Sequence, residues 1–66
     1  MSRITVNGQP RDTAAADIAA LVVEFGCTNG AMLIEHNGTA LRPAEWSACA
    51  IQEGDRIELL RIAAGG

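Results

Sequence analysis

Polar and apolar residues alternate at the start of the chain, with Ile4 and Val6 on one side and Arg3 and Thr5 on the other. That period of two predicts a strand with one buried face. Asn7-Gly8 follows, a pair that tolerates the positive φ of a tight turn, and residues 9–13 are extended again, so a β-hairpin is predicted. The period then changes. Ile18, Leu21, Val22 and Phe25 fall at i, i+3, i+4 and i+7, one face of a helix, with Asp17 placed to cap its start and Gly26 to end it. A polar loop, residues 27–30, leads to an apolar strand over 31–36, and a second Asn-Gly pair, Asn37-Gly38, turns it into a short strand reaching Leu41. Pro43 opens a short helical turn, with Glu45 near its positive end and Trp46 folded onto the core or its edge. Residues 52–55 form the last turn and 56–62 the last strand.

This order predicts an α+β domain in which one amphipathic helix covers one face of a mixed sheet of four to five strands. The closure that fits pairs the first and last strands side by side and parallel at the centre, the β-grasp arrangement. Residues 1–62 are expected to make this single domain and 63–66 a flexible tail.

Composition narrows the function. A chain of 66 residues has room for one small core, and with only Phe25 and Trp46 as aromatics that core must come from aliphatic side chains and methionine. Net charge is −3 and the five basic residues are scattered, which leaves neither a basic stripe nor a stacking platform for nucleic acid. Acidity instead favours a positively charged protein surface. No apolar run is long enough to span a membrane and the N-terminus turns polar too early for a signal peptide, so a cytoplasmic protein is expected. In that compartment Asn37-Gly38-Thr39 reads as a turn rather than a glycosylation site, and Cys27 and Cys49 as free thiols. No metal site is expected from two such cysteines and the single His36, which reads as an ordinary surface or edge residue. No catalytic residue is assigned either: the carboxylates are spread along the chain and read mostly as solvated surface.

The tail, Ala63-Ala64-Gly65-Gly66, carries the chemical signal. A glycine pair lets a backbone enter a narrow channel and leaves the terminal carboxylate unshielded, which suits covalent chemistry at Gly66, although small terminal residues are also what a frayed end looks like. On the strand before it, Ile57, Leu59 and Arg61 share one face and Glu58, Leu60 and Ile62 the other. One helix cannot cover both. Either Leu60 and Ile62 form an exposed apolar patch that docks a partner, or strand curvature or the Trp46 segment buries them.

These residues together resemble the small sulfur-carrier proteins of bacterial thiamine biosynthesis, ubiquitin-like β-grasp proteins of this length. The resemblance rests on the N-terminal strand with Asn7-Gly8, on Asn37-Gly38 followed by Leu41-Arg42-Pro43-Ala44-Glu45-Trp46, on Ile51-Gln52-Glu53-Gly54-Asp55, and on the last strand running into Gly65-Gly66. A departure is Thr13-Ala14-Ala15-Ala16, where the family often has a polar or glycine-containing lead into the helix. The resemblance implies that Gly66 is adenylated by a ThiF-like adenylating enzyme using ATP and Mg, with no cofactor bound to the carrier itself. Sulfur from a cysteine desulfurase or related donor then makes a thiocarboxylate, which a ThiG-like thiazole synthase consumes. Gly65 and Ala64 would thread the tail into the partner sites, and catalysis would belong to the partners. Three other readings stay open: a protein modifier forming isopeptides through Gly66, a plain interaction module, and a carrier serving molybdenum or tungsten cofactor or cysteine synthesis.

Overall fold

The hairpin, helix, hairpin and final strand of the sequence pattern are all present. The structure is a computed structural model and describes residues 1–26 and 32–61. Strands β1 (Ser2–Val6), β2 (Gln9–Thr13), β3 (Met32–His36), β4 (Thr39–Leu41) and β5 (Arg56–Arg61) accompany the helix α1 (Ile18–Glu24) and a 3-10 helix, Pro43–Ala48. The sheet order is β2-β1-β5-β3-β4, so β5 is central, parallel to β1 and antiparallel to β3. This is the ubiquitin-like β-grasp topology.

Each element follows from local chemistry. Both hairpins turn on an Asn-Gly pair, with φ of 51° at Asn7 and Asn37 and 80° and 87° at Gly8 and Gly38. Two successive positive φ values suit this pair and few others. Asp17 caps α1 by accepting the Ala20 N–H at 2.8 Å, and the helix stops at Phe25, whose N–H reaches the Leu21 carbonyl, before Gly26 at φ 72°. Phe25 is therefore the cap of the helix rather than part of its body, and it packs half-buried against the core. In the 3-10 helix Glu45 Oε1 accepts the Arg42 N–H at 2.8 Å, and Trp46 is buried on the helix side of the sheet.

The core lies between α1 and one sheet face. Ile4, Ile18, Leu21, Ile34 and Ile57 are almost fully buried, joined by Val6, Val22, Met32, Trp46 and Ile51. Backbone bonds Ile18 N–H to the Cys49 carbonyl and Ile51 N–H to the Ala16 carbonyl, each 3.0 Å, pin the segment after the 3-10 helix to the start of α1. At the far end of α1 the buried Thr13 hydroxyl lies 2.8 and 2.9 Å from the Glu24 carboxylate oxygens, and Arg11 stacks over the Phe25 ring at 4.3 Å. These contacts tie the edge strand β2 to the helix.

One carboxylate departs from the solvated reading. Asp55, just before β5, is buried, and His36 Nε2 lies 2.8 Å from its Oδ2, which also accepts the Gln52 N–H at 2.9 Å, while Oδ1 accepts Asn37 Nδ2 at 3.1 Å. His36 is thus half-buried and paired, not an ordinary edge residue. Spacing in sequence hides this because Asp55 and His36 are 19 residues apart and meet only when β5 pairs with β3. Burial is the largest influence on the Asp55 carboxyl and favours its neutral form, but the bonds from Gln52, His36 and Asn37 and the His36 charge together outweigh it and hold its pKa below the ordinary value.

A lowered folded-state pKa means that the contribution of Asp55 is fully present above the unfolded carboxyl value of about 4 and is lost as pH falls through the folded value. Asp55→Asn should cost about 1–3 kcal/mol at neutral pH, because it turns an N–H donor towards groups that themselves donate. The gap between native and variant stability should narrow below about pH 4. Urea unfolding at both pH values measures it, and a gap that stays constant would remove Asp55 from the acid response.

Candidate functional site

The sheet has a second face, turned away from α1. On β3 and β5 the alternation that buries Met32, Ile34 and Ile57 sends Leu33, Glu35, Glu58 and Leu60 outward. Leu33 and Leu60 are direct cross-strand partners, and so are Glu35 and Glu58. Leu60 is 62% exposed and Leu33 51%, which makes them an apolar pair in water on the outer face of the sheet. With Asn7 and Leu59 the four residues line an open depression of about 260 Å³.

Leu60 stands exposed on the face opposite the helix, and the Trp46 segment packs on the other side. Ile62, the other residue of the expected patch, lies outside the described residues, as do Ala64, Gly65 and Gly66. Leu33 takes the neighbouring place. The signal for it was in the sequence, since strict alternation through Met32-Leu33-Ile34-Glu35 puts Leu33 opposite the buried pair, but without the β3–β5 register nothing joins it to Leu60.

Asn7 fixes the strand that leads to the tail. β1 pairs with β5 through Thr5 and Val6, the Asn7 N–H still donates to the Ile57 carbonyl at 2.9 Å, and its backbone then turns away into the hairpin. Its side chain then continues the ladder: Asn7 Oδ1 accepts the Leu59 N–H at 2.8 Å and Nδ2 donates to the Leu59 carbonyl at 3.1 Å. A primary amide offers the donor and acceptor of a peptide group, so it substitutes for one more strand residue. β5 is held at its other end by Asn37, whose N–H donates to the Arg56 carbonyl and whose Oδ1 accepts the Arg56 N–H, each at 2.8 Å.

Among the described residues few side chains carry reactive chemistry. Cys49 is a half-buried free thiol whose pKa is pushed up, first by burial and then by the charges of Asp55 and Glu45, which disfavours the reactive thiolate. Cys27 lies outside the described residues. Among the described residues no three His, Cys, Asp or Glu side chains are grouped to hold a metal, and no helix is long and apolar enough to cross a membrane.

The family model of the ThiS family matches residues 4–66, nearly the whole chain. The chain belongs to the ThiS family. The crystal structure of the thiamine biosynthesis protein ThiS from Geobacter metallireducens superposes with a TM-score of 0.79 at 26% identity, covering 97% of this chain and 99% of that one. A solution structure of a thiamine biosynthesis protein from the same organism gives the same TM-score and identity, covering 97% of this chain and 87% of that one. Among curated proteins none matches. The sulfur-carrier resemblance and the ubiquitin-like β-grasp fold read from the sequence thus agree with the ThiS family match and the ThiS structures.

Asn7→Gly keeps the positive φ of the turn while removing the amide bonds to Leu59. The variant should lose about 1 kcal/mol of stability, and the Leu59 amide should exchange with deuterium at least about tenfold faster than the native one, as its protecting acceptor is gone. Unchanged exchange at Leu59 in a folded variant would show that the side chain does not hold the strand.

Proposed function

We propose that this ThiS-family chain is the sulfur carrier of thiazole formation and that its covalent chemistry resides on Gly66. The observation that carries the reading is the family match running through the Gly65-Gly66 tail on a ubiquitin-like β-grasp domain. A carboxylate is a poor acyl donor, because its charge and resonance oppose attack and its oxygen leaves badly. It must first be activated. An adenylating enzyme using ATP and Mg joins the Gly66 carboxylate to AMP with loss of pyrophosphate, and a persulfide sulfur derived from cysteine displaces AMP. Reductive cleavage of the resulting acyl disulfide by a thiol leaves the thiocarboxylate. Thiazole synthase then takes that sulfur, and the carrier returns with its carboxylate.

In this reading the domain is a co-substrate, and the partners supply catalysis in the cytoplasm, where ATP and cysteine are at hand. Its own work is recognition and presentation. Ala64 and Gly65 have small or no side chains, which suits passage through a narrow channel, and Leu60 together with Ile62 would form the apolar contact beside the tail. Isopeptide transfer from Gly66 to a lysine uses the same adenylate and is the reading to be distinguished by experiment.

Incubation with the adenylating enzyme, Mg-ATP, a cysteine desulfurase, cysteine and a thiol reductant should raise the intact mass of the chain by the difference between sulfur and oxygen. A chain lacking Gly66 should show no such change. Heavier conjugates in place of the small increment would favour the modifier, and an unchanged mass with active partners would refute the carrier. In the same assay Leu60→Ala should raise KM with kcat within about twofold of the native value, and stability should change by no more than about 0.5 kcal/mol because Leu60 is exposed.

A further inference from the structure

Glu35 and Glu58 stand directly opposite each other on the outer face of the sheet. Like charges in that position disfavour the pairing of their strands. Among the described residues neither carboxylate belongs to an ion pair, although Arg56 stands on the same face two residues before Glu58. The fold gains nothing visible from the arrangement, since β3 and β5 are joined by their backbone ladder and by the buried residues beneath it. Beside the carboxylates lies the exposed Leu33–Leu60 pair, and Asn7 closes one side of the depression that contains all four.

We propose that this face is the docking surface for a basic region of the adenylating enzyme, with an apolar side chain seated on Leu33 and Leu60 and a cationic side chain, best an arginine, received between Glu35 and Glu58. This rests on the carrier reading above. Charge complementarity selects the occupant: two adjacent carboxylates repel one another until a cation lies between them, and a guanidinium presents enough N–H donors to bond both. An apolar partner alone would leave both carboxylates facing a surface that cannot bond them, which opposes contact. The net charge of −3 acts in the same direction at long range, steering the domain towards a positive surface. Position matters as well. The patch lies on β5, the strand whose sequence runs directly into the tail, so a partner that grips it fixes the point from which the terminal glycine is presented.

The test separates docking from folding by a difference in sign. Glu35→Gln, Glu58→Gln, the double variant and Glu58→Lys are made in the full chain, and each is examined by thermal unfolding and by thiocarboxylate formation with the adenylating enzyme. Relief of repulsion should leave Tm unchanged or higher in the Gln variants. Each should nevertheless raise KM about fivefold with kcat within about twofold, and Glu58→Lys should raise it further. Raising salt from about 50 to about 300 mM should increase the native KM and affect the double Gln variant less. A native KM and salt response in stable variants would overturn the docking surface while leaving the carrier intact. A fall in Tm that tracks the rise in KM would assign the carboxylates to the fold and overturn it too. Absence of any thiocarboxylate from the native chain would defeat the carrier reading, and the docking surface with it.

Discussion

The grip on the central strand is the constraint from which the rest of the architecture follows. β5 sits between two hairpins that share no sequence continuity with it, one parallel on its β1 flank and one antiparallel on its β3 flank. Each hairpin turns on an Asn-Gly pair, and each asparagine turns its amide back to the backbone of β5, Asn37 at Arg56 and Asn7 at Leu59. The parallel pairing covers only Thr5 and Val6, so without Asn7 the outer half of β5 would be fastened on one flank alone. Because Ile57 is fixed between these grips, its side chain is held under α1, and alternation then decides which residues of the strand meet water.

Much of this was legible because it is local. Asn-Gly turns, the 3.6-residue spacing of Ile18, Leu21 and Val22, the Asp17 cap and the Pro43 start are written within a few residues of the structure they cause. What could not be read depends on register. The asparagines were legible as turn residues, yet their amide bonds to a strand as many as 52 positions away exist only after that strand is in place. The same holds for the Asp55 cluster and for the meeting of Leu33 with Leu60. Leu60 was therefore visible as alternation on β5, whereas its apolar neighbour Leu33 required knowing which strand lies next to it. The boundary of α1 shifted for a related reason: Phe25 fits the helical period but its backbone closes the last turn, and its ring is drawn to the core beside Arg11.

The two faces of the sheet divide the work of the molecule. One is committed to folding, with aliphatic side chains sealed beneath a short helix and a 3-10 segment. The other carries the features that a minimal domain would not choose for stability, an apolar pair in water and two carboxylates opposed across strands. A domain this small has little stability to spare. Its departures from the most stable arrangement are accordingly concentrated on the outer face of the sheet, where the firmly held β5 backbone carries Leu60 and Glu58.

The Asn-Gly turns also set a limit on the chemical lifetime of the fold. Glycine leaves its backbone nitrogen open to reach the preceding side-chain amide, the geometry in which asparagine loses ammonia and becomes an acid. At Asn7 that conversion would replace the donor to the Leu59 carbonyl with an oxygen that repels it, and at Asn37 it would set a new negative charge against Asp55. The hydrogen bonds that hold these amides to their partners also keep them from rotating onto the glycine nitrogen. Folding and resistance to chemical ageing thus protect each other in this chain, and a molecule that loosens at either turn exposes the bond whose hydrolysis would keep it loose.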